Sequence, residues 1–317
     1  MAHVMTGSVR LLAAGSILVL AIATLEAVVL RFVMKRNYDW RAYFSSLADA
    51  IGRGLIRALP FGVVQAMLFF LWQHRLFTVP MNNVWSWALL FLGQEFCYYW
   101  MHRADHRVRW LWANHAVHHS PNQLNLSSAY RLGWTQGLSG GALFFAPLVV
   151  LGFNPVVVVA ALALNLLYQF WLHTELIPKL GPLEGVLNTP SHHRVHHASN
   201  AEYLDKNFGG VLIVFDRLFG TYAIERSDVP CRYGLTKPLH SYNPLKIAFH
   251  EWLAIAWDLW RARSVGEAVQ YLFRPPGWQP RVPAAQLLRA IDDESRELRE
   301  HFGALPERRE RGDGAVA

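Results

Sequence analysis

Five apolar runs separated by short turns, at residues 9–33, 55–72, 84–101, 138–152 and 155–172, restrict this chain more than any other feature of its sequence. About 20 apolar residues at about 1.5 Å rise each match a hydrocarbon core of about 30 Å. In that solvent every backbone N–H and C=O must be paired internally, so runs of this length become helices. The expected fold class is therefore all-α, a multi-span transmembrane helical bundle. Composition agrees: hydrophobic residues make up 53% and charged residues 17%, against about 25% charged in an average soluble domain. The run at 138–152 is short for a full crossing, so a re-entrant or tilted segment is expected there.

The basic residues Arg31, Lys35, Arg36 and Arg41 follow the first run, which places that end in the cytoplasm and the N-terminus outside. The run reads as a span and not as a cleaved leader, because Ala21-Ile22-Ala23 lies inside it and only Arg10, at its start, supplies a basic leader. Two further crossings bring His102 to the cytoplasmic side. A hairpin through the Gly-Phe-Asn-Pro turn between the last two runs returns His173 to the same side. The bacterial inner membrane and the endoplasmic reticulum both suit this topology. The expected division is 1–83 for N-terminal transmembrane helices, 84–250 for a catalytic domain, and 251–317 for an interfacial helix and charged tail. In the last part, aromatic residues 252–260 precede Arg261 and Arg263, and a helix is expected through His301.

The net charge of +7 sits beside apolar segments without zinc-finger spacing or an RNA-binding signature, which excludes nucleic acid as the partner. Two cysteines, Cys97 and Cys231, support neither a disulfide framework nor a cysteine zinc site.

Ten of the 15 histidines lie between residues 102 and 197. They are His102 and His106; His115, His118 and His119; His173; and His192, His193, His196 and His197. Residues three and four apart on a helix share a side and can reach one ion, so two triplets and a pair are expected to converge on two metal ions. Burying so many ionisable rings beside a membrane is costly unless metal or polar partners satisfy them. His173 is expected as a ligand, and His192 is balanced between ligand and structural residue. The scattered His3, His74, His240, His250 and His301 read as ordinary hydrogen-bonded residues.

Imidazole accepts zinc, copper, nickel or iron. A zinc hydrolase would place a carboxylate base in an HExxH motif, which neither Asp105 nor Glu175 occupies. Either acid could orient a ligand instead, and Asp105 could cap a helix. A metal transporter or sensor is the alternative of another class. It would string its ligands along a path at mid-membrane, whereas these cluster at span ends.

HRADH, HAVHH and SHHRVHH, in that order around a hydrophobic hairpin, resemble the fatty acid hydroxylase and sterol desaturase superfamily of membrane di-iron oxygenases. LLYQFWLHTELIPKLGPLEGVLNTPSHHRVHH, with DKNFGGVLIVFDRLFGTY and YGLTKPL after it, resembles the superfamily's ether-lipid-cleaving alkylglycerol monooxygenase branch, the likeness covering about residues 92 to 250. The resemblance implies two iron ions held by the histidine boxes, with Asp205 and Asn207 placed behind them. It implies dioxygen, a lipid substrate and a separate electron donor. Hydroxylation beside an ether oxygen would give a hemiacetal that collapses to an aldehyde and glycerol. Sterol-like, fatty-acyl and ornithine-lipid substrates suit the same centre. Animal members of the branch carry a glutamate where this chain has Arg107, and this charge reversal weighs against tetrahydrobiopterin as the reductant. No flavin, ferredoxin or haem motif appears in the chain, and the sequence leaves its cofactor-binding residues unknown.

Overall fold

The computed structural model describes residues 2–57, 62–280, 292–293 and 295–297, with side chains of the first helix described from Gly15 onward. Among these residues the elements are all helical, with two isolated antiparallel bridges, Leu187 to Leu212 and Ala198 to Tyr233. The helices are α1 (Ala2–Val28, continued by a π-turn at Val29–Val33), α2 (Trp40–Arg57), α3 (Val63–Gln73), α4 (Val84–Arg107), α5 (Arg109–His115), α6 (Gln136–Ser139), α7 (Ala146–Val150), α8 (Pro155–Phe170), α9 (Pro190–His196), α10 (Val214–Leu218), α11 (Pro244–Arg261) and α12 (Val265–Phe273). Contacts divide the chain into one unit ending at Pro276 and a second, Gly277–Ala317. Of the charged tail expected through His301, residues 292–293 and 295–297 are helical and the rest lies outside the described residues.

Only Gly15–Val33 is long and apolar enough to cross a membrane by length and composition, among the described residues. The apolar helical stretches Val64–Gln73, Gly141–Val150 and Pro155–Phe170 are shorter. The run expected at 55–72 is not one continuous helix: α2 is described as far as Arg57, and Gly62 caps the start of α3. The run at 138–152 is broken by Gly140 in the left-handed region at φ 81°, leaving α6, a 3-10 turn and α7. The expected Gly-Phe-Asn-Pro turn is present. Gly152 sits at φ 108°, where a Cβ would come within 2.4 Å of Phe77 O, and Asn154 caps α8 by accepting the N–H of Val156.

The main core packs α3, α4, α7 and α8 around Leu68, Leu90, Tyr98, Phe145, Leu148 and Val158. Helix α4 turns Trp85, Leu89, Leu92 and Phe96 outward and buries Gln94, Glu95, Tyr98 and His102. Apolar residues outside and polar residues inside reverse the pattern of a helix on a water-soluble domain. This arrangement carries the HRADH segment at the end of α4 to the region of the later histidines.

Candidate metal centre

His102 and His106 stand one turn apart at the C-terminal end of α4. After extended Val108, α5 brings His115 as its last residue, followed in the next turn by His118 and His119. His173 follows the end of α8, and α9, entered through Pro190, carries His192, His193 and His196, with His197 as its C-cap. Proline suits that first turn because its missing N–H would have no helical partner there.

Nine of the ten expected histidines converge in two groups. One holds His102, His106, His115, His119 and His196, and the other His118, His173, His193 and His197, each with one ring nitrogen per residue within 4.8 Å of the others. The triplets therefore do not stay together as the sequence spacing suggested. Residues four apart share a group, as His115 with His119 and His193 with His197, while His118 and His196 each join the opposite one. Three residues subtend about 300° of helix and four about 400°, enough to send neighbouring rings to different groups. His192 is in neither. Its buried ring lies 3.4 Å from both the Thr189 hydroxyl and the Tyr222 hydroxyl and 3.9 Å from Glu184.

Hydrogen bonds fix the protonation of four rings. Nδ1 of His102, His118, His173 and His196 meets the carbonyls of Phe208, Arg131, Gln169 and Lys206 at 2.8, 2.9, 2.8 and 3.0 Å. A carbonyl can only accept, so Nδ1 carries the hydrogen and Nε2 is a bare lone pair in each neutral ring. Yet Nε2 of His173 faces Nε2 of His118 at 3.2 Å, with no proton available to lie between them. Nε2 of His106 and of His196 are buried without a partner among the described groups. Bare donors converging from several elements fit a metal ion.

Burial disfavours the charged form of every ring in both groups, with His118 lowered to about 4 and His173 to about 3. These two rings stay neutral in the folded state while the unfolded chain takes up protons below the ordinary histidine value of 6.5. Their contribution to stability is present above about 6.5 and lost as pH falls toward 4. The metal-free protein is expected to unfold on acidification across that window, and the metal-loaded protein at lower pH. Coincident acid transitions for the two forms would contradict this.

Asp205 and Asn207 both adopt φ of 57°, the left-handed region, which coils the DKNFGG loop behind the rings. Asp205 places one oxygen 3.7 Å from His106 Nδ1 and the other 3.1 Å from Arg107 Nε. Burial raises its pKa, but His106 and Arg107 outweigh that effect and hold the carboxyl below its ordinary range. Asn207 donates to the carbonyls of His192 and Ala223 and accepts the N–H of Ala223. It ties the loop to α9 through these backbone bonds. At Gly210 a Cβ would lie 2.2 Å from the Asn165 side chain, so the second glycine of the loop permits that close approach. Asp105 Oδ2 lies 4.0 Å from His115 Nδ1. Glu175 instead accepts from the Tyr233 hydroxyl and pairs with Arg36.

Several buried supports were not among the expected site residues. Glu95 accepts the N–H groups of Val211 and Leu212, and Glu26 accepts the N–H of Leu126 and the Thr174 hydroxyl. Both are acids inside apolar runs, a sequence signal of a specific partner. Asp49, Arg194 and Asp216 carry no comparable signal.

Residues 87–221, which include every histidine of both groups, match the family model for fatty acid hydroxylase. This stretch is a fatty acid hydroxylase domain. The chain is similar to alkylglycerol monooxygenase of Homo sapiens, at 41% identity over 249 residues, covering 77% of this chain and 55% of that protein. It is similar to the Danio rerio protein of that name at 39% identity over 242 residues, covering 76% of this chain and 53% of the other. Ornithine lipid hydroxylase of Rhizobium tropici is 32% identical over 128 residues, covering 40% of this chain and 39% of that protein. The chain thus spans 55% and 53% of the two alkylglycerol monooxygenases. No solved structure matches it.

Proposed function

We propose that this chain is a multi-pass membrane di-iron oxygenase that hydroxylates a lipid, with the carbon beside the ether oxygen of an alkylglycerol as its target. The observation that carries the metal reading is the pair of bare Nε2 lone pairs of His118 and His173 facing each other at 3.2 Å. In this reading His102, His106, His115, His119 and His196 hold one iron, and His118, His173, His193 and His197 the other. Four further Nε2 to Nε2 pairs within the groups lie at 3.0 or 3.1 Å, and the ligand atoms of each group all lie within 4.8 Å of one another. The convergence on two closed groups supports a fixed centre in preference to a transport path.

Bound iron would supply reductive activation of dioxygen. The chain would keep the rings neutral by burial, orient four of them through backbone carbonyls, and brace His106 with Asp205. Asn207 and His192 would hold the surrounding backbone and not the metal. The outward apolar stripe on α4, from Trp85 to Phe96, supports embedding of the bundle in lipid. We place the cage on the cytoplasmic side, on the strength of the basic residues after α1. Electrons would arrive from a separate carrier. Arg107 is engaged with Asp205, an arrangement that does not favour tetrahydrobiopterin.

Ornithine-lipid hydroxylation is the second reading, favoured by the Rhizobium tropici similarity. Purified protein reconstituted with iron, reductant and dioxygen is expected to hold about two irons per chain and to release fatty aldehyde from an alkylglycerol. Hydroxylated ornithine lipid without aldehyde would select the second reading. Absence of iron binding and of oxygen-dependent product would reject both.

A further inference from the structure

Each group of histidines has one ring linked to a buried carboxylate through a single shared peptide unit. In the unit joining Phe208 to Gly209, the carbonyl accepts Nδ1–H of His102 at 2.8 Å, and the N–H donates to Asp216 Oδ2 at 2.8 Å. In the unit joining Arg131 to Leu132, the carbonyl accepts Nδ1–H of His118 at 2.9 Å, and the N–H donates to Asp49 Oδ2 at 3.2 Å. The two constructions come from unrelated parts of the chain, α10 and α2, and serve different groups. Asp49 and Asp216 are both fully buried.

Neither carboxylate touches a histidine. A peptide is polarisable, however, and hydrogen bonds in series strengthen one another. Negative charge on the N–H side moves electron density toward the carbonyl oxygen. The stronger acceptor then draws on Nδ1–H and makes the opposite nitrogen, Nε2, a better donor to a metal. The ring of His196 supplies the contrast. The N–H of the peptide behind its carbonyl partner, at Asn207, donates to the neutral carbonyl of Thr221 at 3.0 Å.

The carboxylates have partners that hold them in place. Asp216 also accepts the N–H of Phe208 at 2.7 Å and the Thr221 hydroxyl at 2.7 Å. Asp49 also accepts the indole N–H of Trp134 at 2.9 Å. Burial raises the pKa of both carboxyls, that of Asp49 to about 6, and these hydrogen bonds oppose the rise by favouring the ionised form.

We infer that Asp216 and Asp49 are positioning residues that raise the donor strength of His102 and His118 through the intervening peptide, one for each metal ion. The inference rests on the two-metal reading proposed above, and its test separates the two. Full-length protein in detergent is titrated with cobalt(II), whose visible absorption reports its ligands, alongside thermal unfolding of the metal-free form. Wild type is expected to bind two ions. Asp216→Asn is expected to weaken the ion of the His102 group by about 10 to 100-fold and spare the other, and Asp49→Asn to do the converse. The metal-free unfolding temperature is read in the same samples, because a purely structural role would lower it and weaken both ions together. That pattern would overturn the inference, as would unchanged affinity at both ions in both variants. Fewer than two cobalt ions in wild type would instead overturn the two-metal reading. Where an asparagine variant does not purify, the glutamate variant at that position carries the test. Its retained charge predicts both affinities within a few-fold of wild type, and selective loss of the ion in its own group overturns the inference.

Discussion

Alanine at His193 or at His196 is expected to reduce lipid oxidation to background and to leave about one iron in place of two, with the protein still inserted and helical. The two variants address different ions in the proposed centre. His193 belongs to the group of four histidines and His196 to the group of five. Removing His193 leaves three protein donors for its ion, whereas removing His196 leaves four. The larger loss of affinity is therefore expected for His193→Ala. Loss of a partner behind a ligand already costs about 10 to 100-fold in affinity, and loss of the ligand itself should exceed that. Iron content, product formation and far-ultraviolet circular dichroism on the same preparations check all three statements. Substantial turnover with two irons in either variant would remove that histidine from the proposed ligand set.

Arg194→Met is expected to destabilise the metal-free protein by about 3 to 5 kcal/mol, the range for breaking one side of a buried ion pair. Arg194 lies on α9 between the histidines of the last box, and its guanidinium binds Glu225 through Nε and Nη2, each at 2.7 Å. Nη1 donates to the carbonyls of Thr174 and Ile177 at 3.0 and 2.8 Å. One side chain thereby fastens α9 to the segment directly after His173 and to Glu225. Its removal strands Glu225 and frees two carbonyls. Arg194→Lys restores the charge but not the planar fork, so only part of the loss should return. Thermal unfolding in detergent measures the effect, and binding at the ion of the His173 group should weaken with it. A change below about 1 kcal/mol would show that water replaces these bonds without cost.

The site was legible in the sequence to the extent that its chemistry lies in local spacing. His102 with His106, and His193 with His197, are one helical turn apart, and both pairs share a group in the structure. The distribution across groups was not legible. It depends on how α5 and α9 are rotated against α4, which sends His118 and His196 away from their nearest sequence neighbours. His192 has the local spacing of its neighbours, yet it faces Tyr222 and Glu184. Periodicity likewise merged the run over 55–72, because average hydrophobicity does not register the start of α3 after Gly62.

The sequence by itself determined a helical chain rich in apolar runs and a set of histidines whose spacing and number call for metal. Those properties follow from backbone hydrogen bonding and from the 3.6-residue turn, which act over a few residues. Only the tertiary structure decided which nine rings meet, which nitrogen is bare in four of them, and which carbonyls and carboxylates stand behind those. His102 meets the carbonyl of Phe208 across 106 positions of sequence, and His118 reaches Asp49 through a peptide supplied by a separate loop. Protonation and donor strength are set by neighbours within about 3 Å in space. Where those neighbours are distant along the chain, no local pattern of residues can specify them.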